Sequence, residues 1–324
     1  MAKKKVVTVR DLIENTRLEV AFGGDYINRP IVTSDISRPS LEMTGYFDYY
    51  APERVQLIGI TETSFVKRMT APERKIIFRK MAQADTPAFV VSTGLDIPLE
   101  LQEVAAEMQI PILTSRLTSS RILSNMSYYL DAQLAERKSV HGVLIDVHGL
   151  GVLLTGDAGI GKTETALELI QQGKARLVAD DRVDIYQQDE ERLIGEPSMV
   201  LQNLMEVRGV GIIDVQQVYG AIAVRTHATV TLNIHLSNAT IGEGGFDRLG
   251  TQGDTLKVLD VEIPRMVIPV TPGRNTASVV DAAALKFRTQ NMGYDALKTL
   301  EERMTAQMVE NSDDIPPQIH ELRK

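Results

Sequence analysis

The chain contains no cysteine. A disulfide-stabilised scaffold and a metal site built on thiolates are therefore both excluded. No apolar run approaches the ~18 residues of a membrane span, and the pair Val6-Val7 is too short for the apolar region of a signal peptide. The net charge of −8 argues against a general nucleic-acid binder. We expect a cytoplasmic protein with neither a membrane nor a nucleic acid as a partner.

A length of 324 residues exceeds that of a typical single domain, so two domains are expected. In the first part of the chain, strand patterns alternate with helix patterns, which predicts a small α/β domain with a mostly parallel sheet. The polar residues 136–139 are the best candidate for a linker. The predicted fold class is therefore α/β with two domains, residues 1–134 and 135–324. Nothing in the first domain indicates catalysis.

Residues 156–163 carry the pattern G-x-x-x-x-G-K-T. An apolar strand pattern precedes it and a helix pattern follows it, which is the context that a phosphate-binding loop requires. The glycines allow a tight turn that brings successive N–H groups toward an anion, and the positive end of the helix dipole faces the same point. Lys162 is expected to reach the terminal phosphates, and the Thr163 hydroxyl to bind Mg²⁺. The predicted nucleotide- or polyphosphate-binding residues are Gly156, Asp157, Ala158, Gly159, Ile160, Gly161, Lys162 and Thr163.

Asp180 and Asp181 follow an apolar strand pattern at 176–179. In phosphate-loop folds the neighbouring strand ends beside the nucleotide, so we expect these carboxylates near the terminal phosphate. One is suited to hold Mg²⁺ and the other to accept a hydroxyl proton, as a kinase requires. Adjacent like charges also raise the proton affinity of one of them. The structural alternative is a turn or cap after a strand.

Four further features are ambiguous when each is taken alone. His141 begins the strand pair that leads into the loop, but a lone histidine is more often structural. Glu206 is an acid among apolar neighbours and needs a metal or a partner such as Arg208. Arg248 lies in a long glycine-rich loop, where a cation is able to close over a transferring phosphate. Residues 269–274 form a rigid turn that carries a cation.

The combination of these features is more specific than any one of them. In the second half of the chain, six segments occur in order: HGVLID at 141–146, GDAGIGKTETALEL at 156–169, LVADD at 177–181, MEVRGVGII at 205–213, FDR at 246–248 and PVTPGR at 269–274. The first half adds TVRDL at 8–12, RPSLEMTGYF at 38–47 and RVQLIG at 54–59. Together they closely resemble the HPr kinase/phosphorylase family of low-GC Gram-positive bacteria, over nearly the whole chain.

The resemblance implies a bifunctional enzyme that acts on a regulatory serine of HPr, the phosphocarrier of the sugar phosphotransferase system. Such an enzyme regulates carbon catabolite repression. It phosphorylates the serine with ATP or pyrophosphate, and removes the phosphate by phosphorolysis, in which inorganic phosphate attacks and pyrophosphate leaves. The implied fold of residues 135–324 is a P-loop kinase domain similar to phosphoenolpyruvate carboxykinase, and the implied assembly is a homohexamer.

The resemblance also implies roles for individual residues. Asp180 would accept a proton in one direction and donate it in the other. The other implied catalytic residues are His141, Lys162 and Arg248, and the implied Mg²⁺ ligands are Thr163 and Glu206. Residues 205–214 would serve both directions, and residues 269–274 chiefly dephosphorylation.

Two segments depart from the family pattern. Ala158 and Thr163 stand where many members carry serine at one or both positions. Thr163 keeps the metal-binding hydroxyl, whereas Ala158 adds no donor to the loop. Residues 197–203 are less basic than the usual approach to the Glu206 motif, which affects how HPr would dock.

Two rival functions remain open from the sequence. A phosphate-loop or carboxykinase-like enzyme acting on a small metabolite would place the γ-phosphate of ATP on that metabolite rather than on HPr. A non-catalytic nucleotide-sensing module would bind nucleotide and form no phosphoprotein, and Asp180 would then be dispensable.

Overall fold

The computed structural model describes residues 6–238, 254–271 and 273–313 and divides into two units, Met1–Arg137 and Lys138–Lys324. The division falls a few residues after the boundary that the sequence suggests. The polar segment expected to be a linker belongs partly to a strand, Arg137–His141, whose side chains are half-buried or exposed. Within the described ranges, no helix combines the length and the apolar character that crossing a bilayer needs.

Unit 1 is an α/β unit. Its described strands are β1 (Val7–Thr8), β2 (Glu19–Phe22), β3 (Pro30–Ile31), β4 (Ile36–Ser37), β5 (Val55–Ile58), β6 (Phe89–Val91) and β7 (Ile112–Thr114). Its helices are α1 (Val9–Asn15), α2 (Ile60–Val66), α3 (Ala71–Met81), α4 (Leu99–Met108) and α5 (Ser119–Leu134). The main sheet has the order β2-β7-β6-β5-β4, and only the β2–β7 pairing within it is antiparallel. The prediction of a mostly parallel sheet is confirmed.

Local sequence sets where the helices of unit 1 begin. Thr8 precedes α1 and forms a capping box with Asp11: its hydroxyl accepts from the Asp11 N–H, and the Asp11 carboxylate accepts from the Thr8 N–H. Threonine is a favoured residue at this position. Thr118 stands at the same position before α5, but its side chain makes no capping hydrogen bond.

Unit 2 holds the phosphate-loop pattern. Its described strands are β8 (Arg137–His141), β9 (Val143–Val147), β10 (Leu150–Gly156), β11 (Ala175–Ala179), β12 (Arg182–Gln187), β13 (Leu193–Pro197), β14 (Leu204–Val207), β15 (Gly211–Asp214), β16 (Ala228–Ser237), β17 (Thr255–Val258) and β18 (Val261–Pro269). Its helices are α6 (Lys162–Gln171), α7 (Val215–Tyr219), α8 (Thr276–Asn291) and α9 (Ala296–Asp313).

Nine of the eleven described strands of unit 2 form one sheet in the order β11-β9-β10-β16-β13-β12-β8, with β18 beside β16 and β17 beside β18, and β14 pairs with β15 in a separate hairpin. β10 runs parallel to β16, and β16 parallel to β18. β9 is antiparallel to both β10 and β11, so β11 points the same way as β10. The carboxyl ends of β10, β11, β16 and β18 therefore share one edge of the sheet. In open α/β sheets ligands bind at this edge.

Two stretches of unit 2 differ from the expected secondary structure. Residues 221–224 suggest a strand, but Ala221–Ala223 forms a turn of 3-10 helix. Residues 257–270 suggest one strand, but β17 and β18 form an antiparallel hairpin. Leu259 takes a positive φ of 53° in its turn, a conformation for which glycine or asparagine is the usual signal, and the sequence offers neither there.

Candidate active site at the phosphate loop

The loop between β10 and α6 has the backbone of a phosphate-binding loop. Gly156, Gly159 and Gly161 all have positive φ, at 141°, 76° and 103°. A Cβ at Gly156 would collide with the carbonyl oxygen of Leu236 on the neighbouring strand. Gly161 is the N-cap of α6, so the free N–H groups of the first helical turn face the loop. The glycines are thus required by backbone conformation and by close approach.

The side chain of Lys162 folds back onto its own loop. Its Nζ donates to the carbonyl oxygens of Gly156 and Asp157, at 3.0 Å each. The residue is buried, with 7% of its surface exposed. The ammonium is therefore held inside the curve of the loop, where an incoming phosphate offers stronger acceptors than the two carbonyls.

Asp180 lies directly beside the start of α6. Its Oδ1 accepts from the Thr163 hydroxyl at 3.0 Å, and its Oδ2 accepts from the Glu206 N–H at 3.1 Å. Burial raises the pKa of Asp180 above its ordinary value of 3.8, these hydrogen bonds oppose the rise, and repulsion from Asp181 adds a smaller contribution. The expected effect of the adjacent carboxylate on the pKa is thus present but secondary to burial.

The sequence predicts that Asp180 follows a strand next to the loop strand β10. In the structure, Asp180 follows β11, which is not the immediate neighbour of β10. β9 lies between β10 and β11. The carboxylate still reaches the loop because β10 and β11 point the same way and end at the same edge. The antiparallel insertion of β9 follows from the β9–β10 hairpin, whose turn is too short to allow a parallel crossover.

His141 and Asp181 form a second, more exposed pair. The His141 Nδ1 lies 3.1 Å from the Asp181 Oδ1, and both side chains are more than half exposed. Asp181 has a φ of 65°, and its carbonyl oxygen accepts from the Gly142 N–H at 3.0 Å. The two adjacent aspartates therefore point to different partners: Asp180 to Thr163, and Asp181 to His141.

The hairpin of β14 and β15 contributes the next part of the site. Glu206, on β14, is exposed, while its backbone N–H contacts Asp180. Arg208 follows in the turn, and its Nη2 lies 3.3 Å from the position that a Cβ on Gly159 would occupy. The sequence suggests Arg208 only as an ion-pair partner for Glu206. Its place against the phosphate loop depends on the tertiary packing of the hairpin, which no local pattern reveals.

A cavity of about 400 Å³ joins these groups. Its lining residues are His141, Val143, Ala158, Gly159, Gly161, Lys162, Thr163, Glu164, Asp180, Asp181, Glu206, Val207, Arg208, Gly209 and Gly211. Most of the predicted site residues therefore meet in one place. Gly156, Asp157 and Ile160 belong to the same loop but do not line this cavity. Arg248 lies outside the described residues.

The oxygen donors at the cavity fit a magnesium ion. No group of three or more His, Cys, Asp or Glu side chains that could hold a metal is present among the described residues. Mg²⁺ needs no such cage, because it keeps several waters and binds through one or two carboxylates together with substrate phosphates. The Thr163 hydroxyl and the carboxylates of Asp180 and Glu206 are hard oxygen donors of the required kind.

The turn after β18 lies at the same edge of the sheet. Pro269 ends the strand, and the Val270 N–H donates to the Ser237 carbonyl oxygen at 2.8 Å. Arg274 is exposed, and its N–H donates to the Thr271 carbonyl oxygen at 3.2 Å. Position 272 lies outside the described residues. In the sheet, β16 lies between β18 and the loop strand β10, and the residues of the turn do not line the cavity.

Comparisons with known proteins agree over both units. A family model described as HPr Serine kinase N terminus matches residues 7–130, and one described as HPr Serine kinase C-terminal domain matches residues 132–304. The HPr kinase/phosphorylase of Lactiplantibacillus plantarum is 55% identical over 307 residues, which cover 94% of this chain and 97% of that protein. The HPr kinase/phosphorylase of Streptococcus salivarius is 51% identical over 309 residues, covering 95% and 99%. A solved structure, the Hpr(Ser) kinase/phosphatase from Coxiella burnetii, is 32% identical, covers 51% of this chain and 99% of its own, and has a TM-score of 0.46.

Proposed function

This chain belongs to the HPr serine kinase family, and we propose that it transfers phosphate both to and from a serine of HPr. The relatives described above are named for that protein. The observation that carries the proposal is the set of contacts at Asp180. A buried carboxylate is held by the Thr163 hydroxyl of the phosphate loop and by the backbone of the β14–β15 hairpin, and it lines a cavity of about 400 Å³.

In the kinase direction, the loop backbone and Lys162 bind the terminal phosphates of ATP or pyrophosphate. The serine oxygen forms a bond to the terminal phosphorus, and the bond from that phosphorus to the bridging oxygen breaks. Asp180 takes the serine proton, a role that suits a carboxyl whose pKa is raised by burial. Arg208, which lies against the phosphate loop, is proposed to act on the phosphoryl group. His141 and Arg248 are included on the roles that the family resemblance implies.

In the reverse direction, inorganic phosphate is the nucleophile. Its oxygen forms a bond to the phosphorus of the phosphoserine, the bond from that phosphorus to the serine oxygen breaks, and Asp180 returns its proton to the serine oxygen. Pyrophosphate and HPr are the products, so atoms and charges balance. One acid–base residue serves both directions, as microscopic reversibility requires.

We assign Thr163 and Glu206 as ligands of Mg²⁺. The ion, when bound, would neutralise charge on the phosphate oxygens. The proposal also includes a homohexameric, cytoplasmic enzyme that regulates carbon catabolite repression. The hexamer and the regulatory role rest on family resemblance, and the cytoplasmic location rests on the composition of the sequence.

The test combines the purified chain with HPr, Mg²⁺ and ATP labelled at the γ-phosphate. We expect label on an HPr serine, and release of that label as pyrophosphate when unlabelled phosphate is added. Lys162→Ala should lower both rates by about a hundredfold or more, because one preorganised charge is removed from the transferring phosphate. Lys257→Ala is the matched control, since Lys257 is an exposed lysine of β17 whose ion-pair partner among the described residues, Asp260, lies 3.8 Å away.

Other outcomes would contradict the proposal in different ways. Label on a small metabolite and none on HPr would indicate a metabolite kinase. Nucleotide binding without any labelled product would indicate a sensing module. Label on HPr that leaves as inorganic phosphate, without pyrophosphate, would remove the phosphorolysis step and keep the kinase.

A further inference from the structure

Polar side chains interrupt the apolar face where β16 runs beside β10. In the parallel pairing, Asn233 lies opposite Leu153, and His235 lies opposite Thr155. Asn233 is fully buried, at 0% exposure. Thr155 is the residue immediately before Gly156, where the phosphate loop begins. We call Thr155, Asn233 and His235 the polar cluster.

The members of the polar cluster are connected by hydrogen bonds. The Asn233 amide Nδ2 donates to the Leu153 carbonyl oxygen at 2.9 Å and to the Thr155 Oγ1 at 3.0 Å. The Thr155 hydroxyl lies 3.1 Å from the His235 Nδ1. Because the hydroxyl oxygen already accepts from Asn233, its own proton is free to point at the imidazole. His235 then accepts at Nδ1 and carries its proton on Nε2.

The charges around His235 favour this neutral form. Burial lowers the pKa of His235, the cations Arg265 and Lys162 lower it further, and the carboxylate of Asp157 partly opposes them. Lys162 and Asp157 both belong to the phosphate loop, so His235 lies within electrostatic reach of the phosphate-binding groups. The neutral imidazole is the form whose Nδ1 can accept a hydrogen bond from the Thr155 hydroxyl.

The polar cluster contains a buried group that lowers the stability of the folded state. The Asn233 Oδ1 is buried and has no hydrogen-bond partner among the described residues. A buried polar atom without a partner costs free energy, and an apolar side chain of similar size avoids that cost. The amide therefore needs an explanation other than packing, and its two donated bonds both go to the end of β10.

We propose that Asn233 and His235 are positioning residues for the phosphate loop and act through the hydroxyl of Thr155. By fixing Thr155, they fix the first peptide units of the loop, including the Gly156 carbonyl that holds the Lys162 Nζ at 3.0 Å. The conformation of the phosphate loop is thus fixed by hydrogen bonds from β16 as well as by the glycines of the loop. This inference rests on the proposed function, because it assumes that the loop binds phosphate.

The experiment measures ATP–Mg²⁺ and pyrophosphate binding by titration calorimetry on full-length variants. Thr155→Val keeps the shape and removes the hydroxyl, and should weaken both ligands about tenfold, as expected for losing one positioning hydrogen bond. Thr155→Ser restores the hydroxyl and should bind within about twofold of wild type. Thr231→Val, on β16, is the matched control, since its hydroxyl donates to the Thr229 carbonyl oxygen and, among the residues that the structure describes, makes no bond to the polar cluster.

Asn233→Leu separates positioning from stability. It removes a buried atom without a partner, so its midpoint of urea unfolding should equal or exceed that of wild type, while its ligand affinity should fall about tenfold. A structural role would instead lower stability and leave affinity unchanged.

Three results would overturn the inference: Thr155→Val binding both ligands as tightly as wild type, Thr155→Ser failing to restore affinity, or Asn233→Leu losing stability while keeping wild-type affinity. Failure of the proposed function is read in a different assay: the wild-type chain would then place no label on HPr, whatever its affinity for ATP or pyrophosphate.

Discussion

Asp180 illustrates how a single residue serves function at a cost to the folded state. Its side chain is buried beside the phosphate loop, with 4% of the residue exposed. Burial raises its pKa above the ordinary 3.8 despite the hydrogen bonds from Thr163 and Glu206. A raised pKa means that the folded chain binds this proton more tightly than the unfolded chain does. The ionised carboxylate therefore destabilises the folded state at neutral pH.

We predict that Asp180→Asn lowers kcat in both directions by about a hundredfold or more, the usual worth of a general acid or base. The variant should also unfold at a higher urea concentration than wild type at pH 7. The amide keeps both contacts, because it accepts from the Glu206 N–H and donates to the Thr163 hydroxyl oxygen, and it carries no charge. Assays with HPr and urea titrations at pH 7 check the two effects.

The pH dependence of this stability difference has a definite sign. Below the unfolded pKa of about 3.8, Asp180 is protonated in both states and the gain from Asn should vanish. As the pH rises through the higher folded pKa, the difference should grow to its full value. Asp260→Asn, at an exposed carboxylate, is the matched control. A less stable Asp180→Asn variant at pH 7 would mean that the hydrogen bonds outweigh the burial of charge.

At the scale of elements, the phosphate loop could be predicted because its information is local. The glycines, Lys162 and the opening of α6 all fall within one strand–loop–helix unit, and the structure has that unit. The partner strand of the loop could not be predicted in the same way. Asp180 was placed on a neighbouring strand, yet β9 lies between, and Arg208 reaches Gly159 only through the packing of a hairpin distant in sequence. Pairing order and hairpin packing depend on non-local contacts.

Helix α8 contacts the turns at the edge of the sheet through an ion-pair cluster around Asp281. Asp281 accepts from the Lys174 Nζ and lies beside the His148 Nε2, each at 2.7 Å. Lys174 follows α6, and His148 lies in the β9–β10 turn, so one carboxylate joins three elements. Burial alone would raise the pKa of Asp281, but the hydrogen bonds from Lys174 and His148 outweigh it and lower that pKa.

We predict that Asp281→Asn reduces the free energy of unfolding by about 1–3 kcal/mol at pH 7, since it removes a charged hydrogen-bond acceptor from two donors. The lowered pKa gives the pH dependence: the stabilisation is present above the unfolded value of about 3.8 and is lost as the pH falls through the folded value. Urea titrations of both proteins from pH 7 to pH 3 measure it. A constant difference across this range would show that the charge of Asp281 is not its source.

The turn at 269–274 is expected to distinguish the two directions of the reaction. It contains no proton acceptor, it follows β18 at the edge of the sheet that holds the loop, and Arg274 is exposed there. A cation in that place suits an incoming inorganic phosphate, which turnover with ATP does not use. Arg274→Ala should lower the ratio of phosphorolysis to kinase kcat/KM about tenfold, or ~1.4 kcal/mol of transition-state stabilisation. An unchanged ratio would mean that the turn serves both directions equally or is only structural.

At the scale of the whole molecule, the two units bury separate apolar cores. The cores of unit 1 gather on either side of its sheet around Leu57 and Phe89, and those of unit 2 around Leu154 and Leu153. Each described core takes all its residues from one unit. Every described residue of the candidate site belongs to unit 2. The sequence predicts a domain boundary between residues 134 and 135 from the polar residues 136–139, and it does not predict that strand β8 begins within that segment.

We predict that residues 135–324 fold alone and bind ATP–Mg²⁺ within about threefold of the affinity of the full chain, because a unit with its own core usually folds independently.

A second fragment, 142–324, is the matched comparison: it lacks β8 and with it His141, whose Nδ1 lies 3.1 Å from the Asp181 Oδ1. It should melt at a lower temperature, because β12 loses its β8 neighbour in the sheet, and it should bind ATP more weakly than the longer fragment. Circular dichroism and titration calorimetry on both fragments provide the measurements. A folded 135–324 fragment that binds no ATP would show that unit 1 supplies part of the nucleotide site, and equal affinities of the two fragments would show that His141 does not contribute to nucleotide binding.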